Sequence, residues 1–82
     1  MNYTVEFRPR ALKDLKGLDV GIRERILAKV ELLRDGLQGD IKKLKKFSPS
    51  YRLRVGDYRV LFEVEANVIT IYRVKHRRQA YS

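Results

Sequence analysis

The side chains able to do chemistry in this sequence are cationic and phenolic, and they gather in its second half. Arg52 and Arg54 stand two apart, Arg59 follows, and Lys75, His76, Arg77, Arg78 and Tyr81 crowd the end of the chain. These residues include no pair of carboxylates, no Ser-His-Asp set and no glycine-rich phosphate loop. With one histidine and no cysteine, neither a thiolate site nor a protein-held zinc ion is expected, and no cofactor is implied. Phosphodiester cleavage in RNA suits such a set. The ribose 2′-OH is an internal nucleophile, so positioning does much of the work. Fixed guanidinium groups stabilise charge on the phosphate oxygens and on the leaving 5′-oxygen. Arginine stays protonated and is a poor base, which leaves His76, Tyr81, Lys75 or a group on a partner to move protons.

Three strands must position the arginines. Tyr51 to Val74 is cut by Gly56-Asp57 and Ala66-Asn67 into runs of alternating character, the pattern of an antiparallel meander. With two-residue turns, Val55 faces Tyr58, Arg54 faces Arg59, Leu53 faces Val60, Arg52 faces Leu61, Val64 faces Ile69 and Phe62 faces Ile71. Tyr51, Leu53, Val55, Tyr58, Val60, Phe62 and Val64 then share a core face. Arg52, Arg54 and Arg59 share the opposite face with Leu61, Glu63, Thr70 and Tyr72. The same count sets Arg59 opposite Val74 and leaves Arg73 at the end of the core face. It brings Lys75, His76, Arg77, Arg78 and Tyr81 towards Arg52 and Arg54. Cations for phosphates beside rings that can stack on bases suit a single-stranded nucleic acid.

Upstream, Tyr3, Val5 and Phe7 alternate as a first strand. Pro9 opens a short helix with Ala11, Leu12, Leu15 and Leu18 at helical spacing, closed at Gly17. Asp19 caps a longer helix whose stripe is Ile22, Ile26, Val30, Leu33 and Leu37, stopped at Gly36. The expected fold is α+β, β-α-α-β-β-β, an antiparallel sheet with a helical hairpin on one face and an open basic face on the other. Ile41 to Phe47 fits a helical turn or an irregular arm equally well. Its Lys42, Lys43, Lys45 and Lys46 suit contacts to a phosphate backbone.

Eighty-two residues make one domain with one modest core, expected to span 1–82. The net charge of +9 is segregated: residues 1–40 contribute +1, 41–59 contribute +6, 60–70 contribute −2 and 71–82 contribute +4. A segregated excess points to a polyanionic partner. Neither a secretory signal nor a membrane-spanning run is present, so a cytoplasmic protein is expected.

The run Tyr-Arg-Leu-Arg-Val-Gly-Asp-Tyr-Arg-Val-Leu-Phe-Glu-Val, followed by Val-Ile-Thr-Ile-Tyr-Arg-Val-Lys-His-Arg-Arg-Gln-Ala-Tyr, resembles the RelE/ParE toxin superfamily, and its RelE branch the more. The opening strand, the helices and Ile-Lys-Lys-Leu-Lys-Lys follow the same pattern. The resemblance implies a type II toxin, a ribosome-dependent endoribonuclease that cleaves mRNA in the ribosomal A site. It also implies a co-expressed RelB-like antitoxin that wraps the toxin, and the ribosome and mRNA as further partners. Arg52 and Arg54 match the two basic positions of the first meander strand, and Arg59 the phosphate-binding arginine of the next. Arg77 best matches the arginine after the last strand, with Arg78 or Lys75 as alternatives. Tyr81 matches the C-terminal tyrosine that stacks on or orients the nucleotide. Two other classes remain open: a ParE-like inhibitor of DNA gyrase, and a non-catalytic basic nucleic-acid-binding module.

Overall fold

The computed structural model describes residues 2–45 and 48–78. Its elements are β1 (Thr4–Phe7), α1 (Pro9–Lys16), α2 (Val20–Arg34), β2 (Ile41–Lys43), β3 (Tyr51–Val55), β4 (Tyr58–Glu65) and β5 (Val68–His76). The five strands form one sheet in the order β1-β5-β4-β3-β2.

α1 starts and stops where its sequence dictates, whereas α2 begins after Asp19 with no capping bond from that side chain and ends at Arg34, which leaves Leu37 beyond the helix. Pro9 takes the first turn of α1, where its missing N–H costs nothing. Gly17 closes the helix and gives its N–H to the carbonyl of Asp14 at 3.2 Å, while the N–H of Leu18 goes to that of Leu15 at 3.1 Å. Ala11 and Leu15 of α1 and Ile26, Val30 and Leu33 of α2 are buried against one face of the sheet. From the strands, Leu53, Val55, Val60, Phe62, Ile69, Ile71 and Val74 meet them. Phe62 is fully buried and stacks on Tyr51 with ring centroids 5.4 Å apart. Burying a ring of that size contributes about 1.5–3 kcal/mol.

The β3–β4 hairpin has the expected register, including Arg54 opposite Arg59 and Arg52 opposite Leu61. Gly56 opens its turn at φ +59°, the sign that a tight hairpin requires at this position.

The sheet departs from expectation in three places. It is mixed rather than antiparallel, because β1 joins β5 in parallel, with Val5 beside Ile69 and Phe7 beside Ile71. It has a fifth strand, because Ile41–Lys43 is neither a helical turn nor an irregular arm. That segment pairs antiparallel with β3, Lys42 beside Arg52. Close approach at its start requires Gly39, at φ +136°, where a Cβ would lie 2.8 Å from Leu53 Cδ1.

The third departure is a β-bulge on β5. Phe62 still faces Ile71, but Leu61 faces Arg73, Val60 faces Val74 and Arg59 faces Lys75. An uninterrupted ladder would send Arg73 into the core and leave Val74 outside. One extra residue on β5 resolves that conflict. Val74 is buried, and Arg73 turns to the edge of the sheet, where its Nε donates to Asp14 Oδ2 at 2.8 Å and its Nη2 to Oδ1 at 3.2 Å. The ladder thus pairs Arg73 with Leu61 rather than with a core residue, and its side chain reaches round the sheet edge to α1 on the helix side. Val74 N–H donates to the same Asp14 Oδ2 at 2.9 Å. β1 pairs with β5 only as far as Ile71, and the Asp14 carboxylate satisfies the edge beyond it.

Candidate nucleic-acid interface

Alternation along the strands assigns each site residue to a face. On the face away from the helices the bulge aligns Arg54, Arg59 and Lys75 as successive cross-strand neighbours on β3, β4 and β5. Like charges directly opposite each other destabilise a sheet, so packing gives no reason for this row. Arg59 is held by its own turn: Nη1 donates to the carbonyls of Gly56 at 3.3 Å and Tyr58 at 3.1 Å. Its Nε–H is buried and has no acceptor among the described residues. Two residues along each strand, away from the turn, lie Arg52 on β3 and Leu61 on β4, flanked by Lys42 on β2. Leu61 is buried although it lies outside the core cluster. A further step along, Glu6 pairs with Thr70 and Thr70 with Glu63, and Glu63 accepts from Ser50 Oγ at 3.2 Å. The face is therefore polarised along the strands, cationic at the Gly56-Asp57 end and acidic at the other.

Sequence reasoning missed Arg8 on this face. Its guanidinium lies 5.5 Å from the centroid of the Tyr72 ring, a cation over an aromatic face. The alternation of β1, continued one residue past Phe7, was the signal that places it there.

Some expected members of the cluster are elsewhere. His76 is not turned towards Arg52 and Arg54. It faces Tyr58 across the ladder on the helix side, and the two rings meet edge to face at 5.3 Å. The cause is the bulge, which moves every later residue of β5 by one position. Lys43 also lies on the helix side, 5.8 Å from the centroid of the Tyr51 ring. Lys45 is exposed in the turn after β2. Arg77 leaves the sheet beside the β3–β4 turn, where its N–H donates to Asp57 O at 2.7 Å and Nη1 stands 3.9 Å from Asp57 Oδ1. An exposed pair at that distance holds a side chain weakly. Arg78 N–H donates to His76 Nδ1 at 3.3 Å. Lys46 and Tyr81 lie outside the described residues.

Among the described residues one carboxyl group has a clear titration shift. Burial pushes the Asp14 acid up, but the hydrogen bond from Arg73, the Val74 N–H and the charges of Arg73 and Arg10 outweigh it. Asp14 therefore sits below the ordinary carboxylate value. Among the described residues no cluster of His, Cys, Asp or Glu could hold a metal ion, and no helix is long and apolar enough to cross a membrane.

A helical hairpin on one face of a small sheet, with a polarised basic face on the other, defines the class. Residues 5–81 match the family model described as the ParE toxin of type II toxin–antitoxin systems. Toxin RelE3 of Methanocaldococcus jannaschii is 39% identical over 82 residues, covering 94% of this chain and 93% of the relative. The RelB–RelE antitoxin–toxin complex from Methanococcus jannaschii contains a chain that superposes with a TM-score of 0.77 at 38% identity, covering 93% of this chain and 94% of that one. The archaeal RelE–RelB complex from Pyrococcus horikoshii OT3 gives a TM-score of 0.79 at 31% identity, covering 98% of this chain and all of its counterpart (100%). The chain belongs to the RelE/ParE superfamily of toxins of type II toxin–antitoxin systems.

Proposed function

We propose that this toxin is a ribosome-dependent endoribonuclease that cuts mRNA in the ribosomal A site, with a RelB-like antitoxin as the partner that restrains it. The observation that carries the reading is the row Arg54-Arg59-Lys75, beside Arg52, on the face that the core does not use. The 2′-oxygen attacks the adjacent phosphorus and gives up its proton to a base. The 5′-oxygen leaves and takes a proton from an acid. The products are a 2′,3′-cyclic phosphate and a 5′-hydroxyl. Arg54 and Arg59 stabilise the phosphate oxygens as charge builds on them, each worth about 10²–10³ in rate if it acts as a fixed oxyanion donor. Anion binding at Arg59 would also relieve its unpaired Nε–H.

In this reading Lys75, in register with Arg59, protonates the leaving oxygen. Tyr81 keeps the role that the resemblance gives it, stacking on or orienting the nucleotide. His76, on the other face, is left out of the proton transfers. Among the described residues the carboxylates that alternation puts on the open face, Glu6, Glu63 and Glu65, lie at its far, acidic end. In this reading the base is a group on the ribosome or the RNA, which would make the cut depend on the ribosome.

The test is to incubate the purified chain with one mRNA, with and without translating ribosomes, and to map new 5′ ends. Cuts at A-site positions only with ribosomes, falling at least 10²-fold in Arg54→Ala/Arg59→Ala, are expected. Uncut message in the presence of ribosomes would overturn the reading. The ParE description of the matching family favours a second reading, inhibition of DNA gyrase. It is supported instead if supercoiling is blocked while the message stays whole, and if the double variant blocks it equally.

A further inference from the structure

Behind the sheet lies a cleft that the open face does not explain. It has a volume of about 410 Å³ and runs between α1 and the adjoining ends of β4 and β5, lined by Arg10, Lys13, Asp14, Arg73, His76 and Tyr58 among others. Its one carboxylate is already committed. Oδ2 of Asp14 accepts from Arg73 Nε and Val74 N, and Oδ1 accepts from Arg73 Nη2. That bidentate hold fixes the Arg73 guanidinium and leaves it N–H groups to give. Arg10 and Lys13, one turn apart on α1, form no ion pair among the described residues. After Asp14 is counted against Arg73, two positive charges remain uncompensated, with His76 and Tyr58 as further lining residues.

We infer that this cleft is a second anion site that takes a phosphate group, and that its source is the backbone of a nucleic-acid strand rounding the end of β5. Two features favour phosphate over a carboxylate. The uncompensated charge exceeds what a single carboxylate neutralises. The donors come from a helix and two strands, so they converge from several directions, as tetrahedral oxygens require and a planar group does not. Continuity with the open face supplies the strand. Lys75 belongs to the Arg54-Arg59 row and His76, the next residue, to the cleft side, so β5 ends with cationic or polar groups on both faces. The inference requires that the open face bind nucleic acid, as the proposed function holds, and not that it cut it.

The test uses the full chain labelled with ¹⁵N, titrated with inorganic phosphate at constant ionic strength. Saturable shifts are expected at the amides of Gly17, Leu18, Val74 and His76. They should be lost in Arg10→Gln/Lys13→Gln, whose side chains are exposed and not part of the core, and kept in Arg54→Gln/Arg59→Gln. Shifts that never saturate, or that survive in Arg10→Gln/Lys13→Gln, overturn the site. A second arm measures binding of 2′-O-methyl oligouridylates, which cannot be cut through their 2′-oxygen. The cleft variant should weaken a dodecamer about tenfold, corresponding to about 1.4 kcal/mol, and leave a trimer unchanged. A saturable phosphate site with unchanged dodecamer affinity overturns the strand and assigns the cleft to a small phosphorylated compound. Because neither arm depends on cleavage, failure of the nuclease reading is a separate result.

Discussion

Asp14 shows how much of this fold can rest on one carboxylate. It receives the Val74 N–H that β1 is too short to pair, and it holds Arg73 out of the core. Truncation in Asp14→Ala leaves a partly buried guanidinium and a backbone N–H without their acceptor, each loss costing about 1–3 kcal/mol. Both groups can regain some water at this edge, so a net loss of about 2 kcal/mol in unfolding free energy at pH 7 is expected. The pH dependence has a definite sign. The folded Asp14 is held below its ordinary value, so its contribution is complete above the unfolded carboxyl value of about 4 and disappears as pH falls through the folded one. Urea unfolding of the two proteins should show a gap that is constant near neutrality and closes in acid. Equal stabilities at pH 7, or a gap that persists well below the carboxyl range, would remove Asp14 from this role. The neighbouring Leu61 poses the opposite case, an apolar side chain buried on the face that otherwise carries charge. Arg52 is its cross-strand neighbour on β3, and the apolar stem of a long cation can cover such a floor.

Turns and bulges decide the elements. Ala66 opens the β4–β5 turn at φ +54°, a region that costs a residue with a Cβ about 1–2 kcal/mol. Glycine removes that strain and adds some entropy to the unfolded chain, so Ala66→Gly should raise stability by about 0.5–1 kcal/mol with an unchanged denaturant slope. A neutral or destabilising result would show that the turn relaxes around alanine at no cost. The two hairpin turns also explain what was legible in the sequence. A two-residue break between alternating runs counts off the register on both sides, so Arg54 opposite Arg59 and Phe62 opposite Ile71 were readable. The bulge was not, because alternation in a single strand carries no mark of an extra residue. Only the conflict between a charged Arg73 and an apolar Val74 at the wrong parity hinted at it. That one residue put Lys75 in the cationic row and His76 behind the sheet. β2 was hidden for another reason. Three residues are too few to show a period, and lysines on both faces disguise an edge strand. The parallel pairing of β1 is a tertiary choice that its own sequence does not encode.

At the scale of the molecule, charge is sorted by face rather than by segment. Residues 1–40 are nearly neutral in sum, yet Arg8 lies on the open face and Arg10 and Lys13 line the cleft behind it. Lys42 and Lys43, adjacent and alike in any sequence count, are separated by the full thickness of the sheet. This separation permits a test of the interface that does not depend on catalysis. Each phosphate neutralised on single-stranded RNA contributes about −0.7 to the slope of log K against log salt. If Arg8, Lys42, Arg52, Arg54, Arg59 and Lys75 together engage about five phosphates, a noncleavable oligonucleotide should bind with a slope of roughly −3.5. Lys42→Gln should weaken binding and flatten that slope by about 0.7, while Lys43→Gln should change neither beyond a few tenths. Lys43 is far from both the cationic row and the α1 cleft, and its ammonium already lies over Tyr51, so diffuse attraction to net charge is all that it can supply. Equal effects of the two substitutions would mean that RNA senses only the total charge of the chain. Unequal effects in the stated order would mean that it lies on the face where the strands align their arginines.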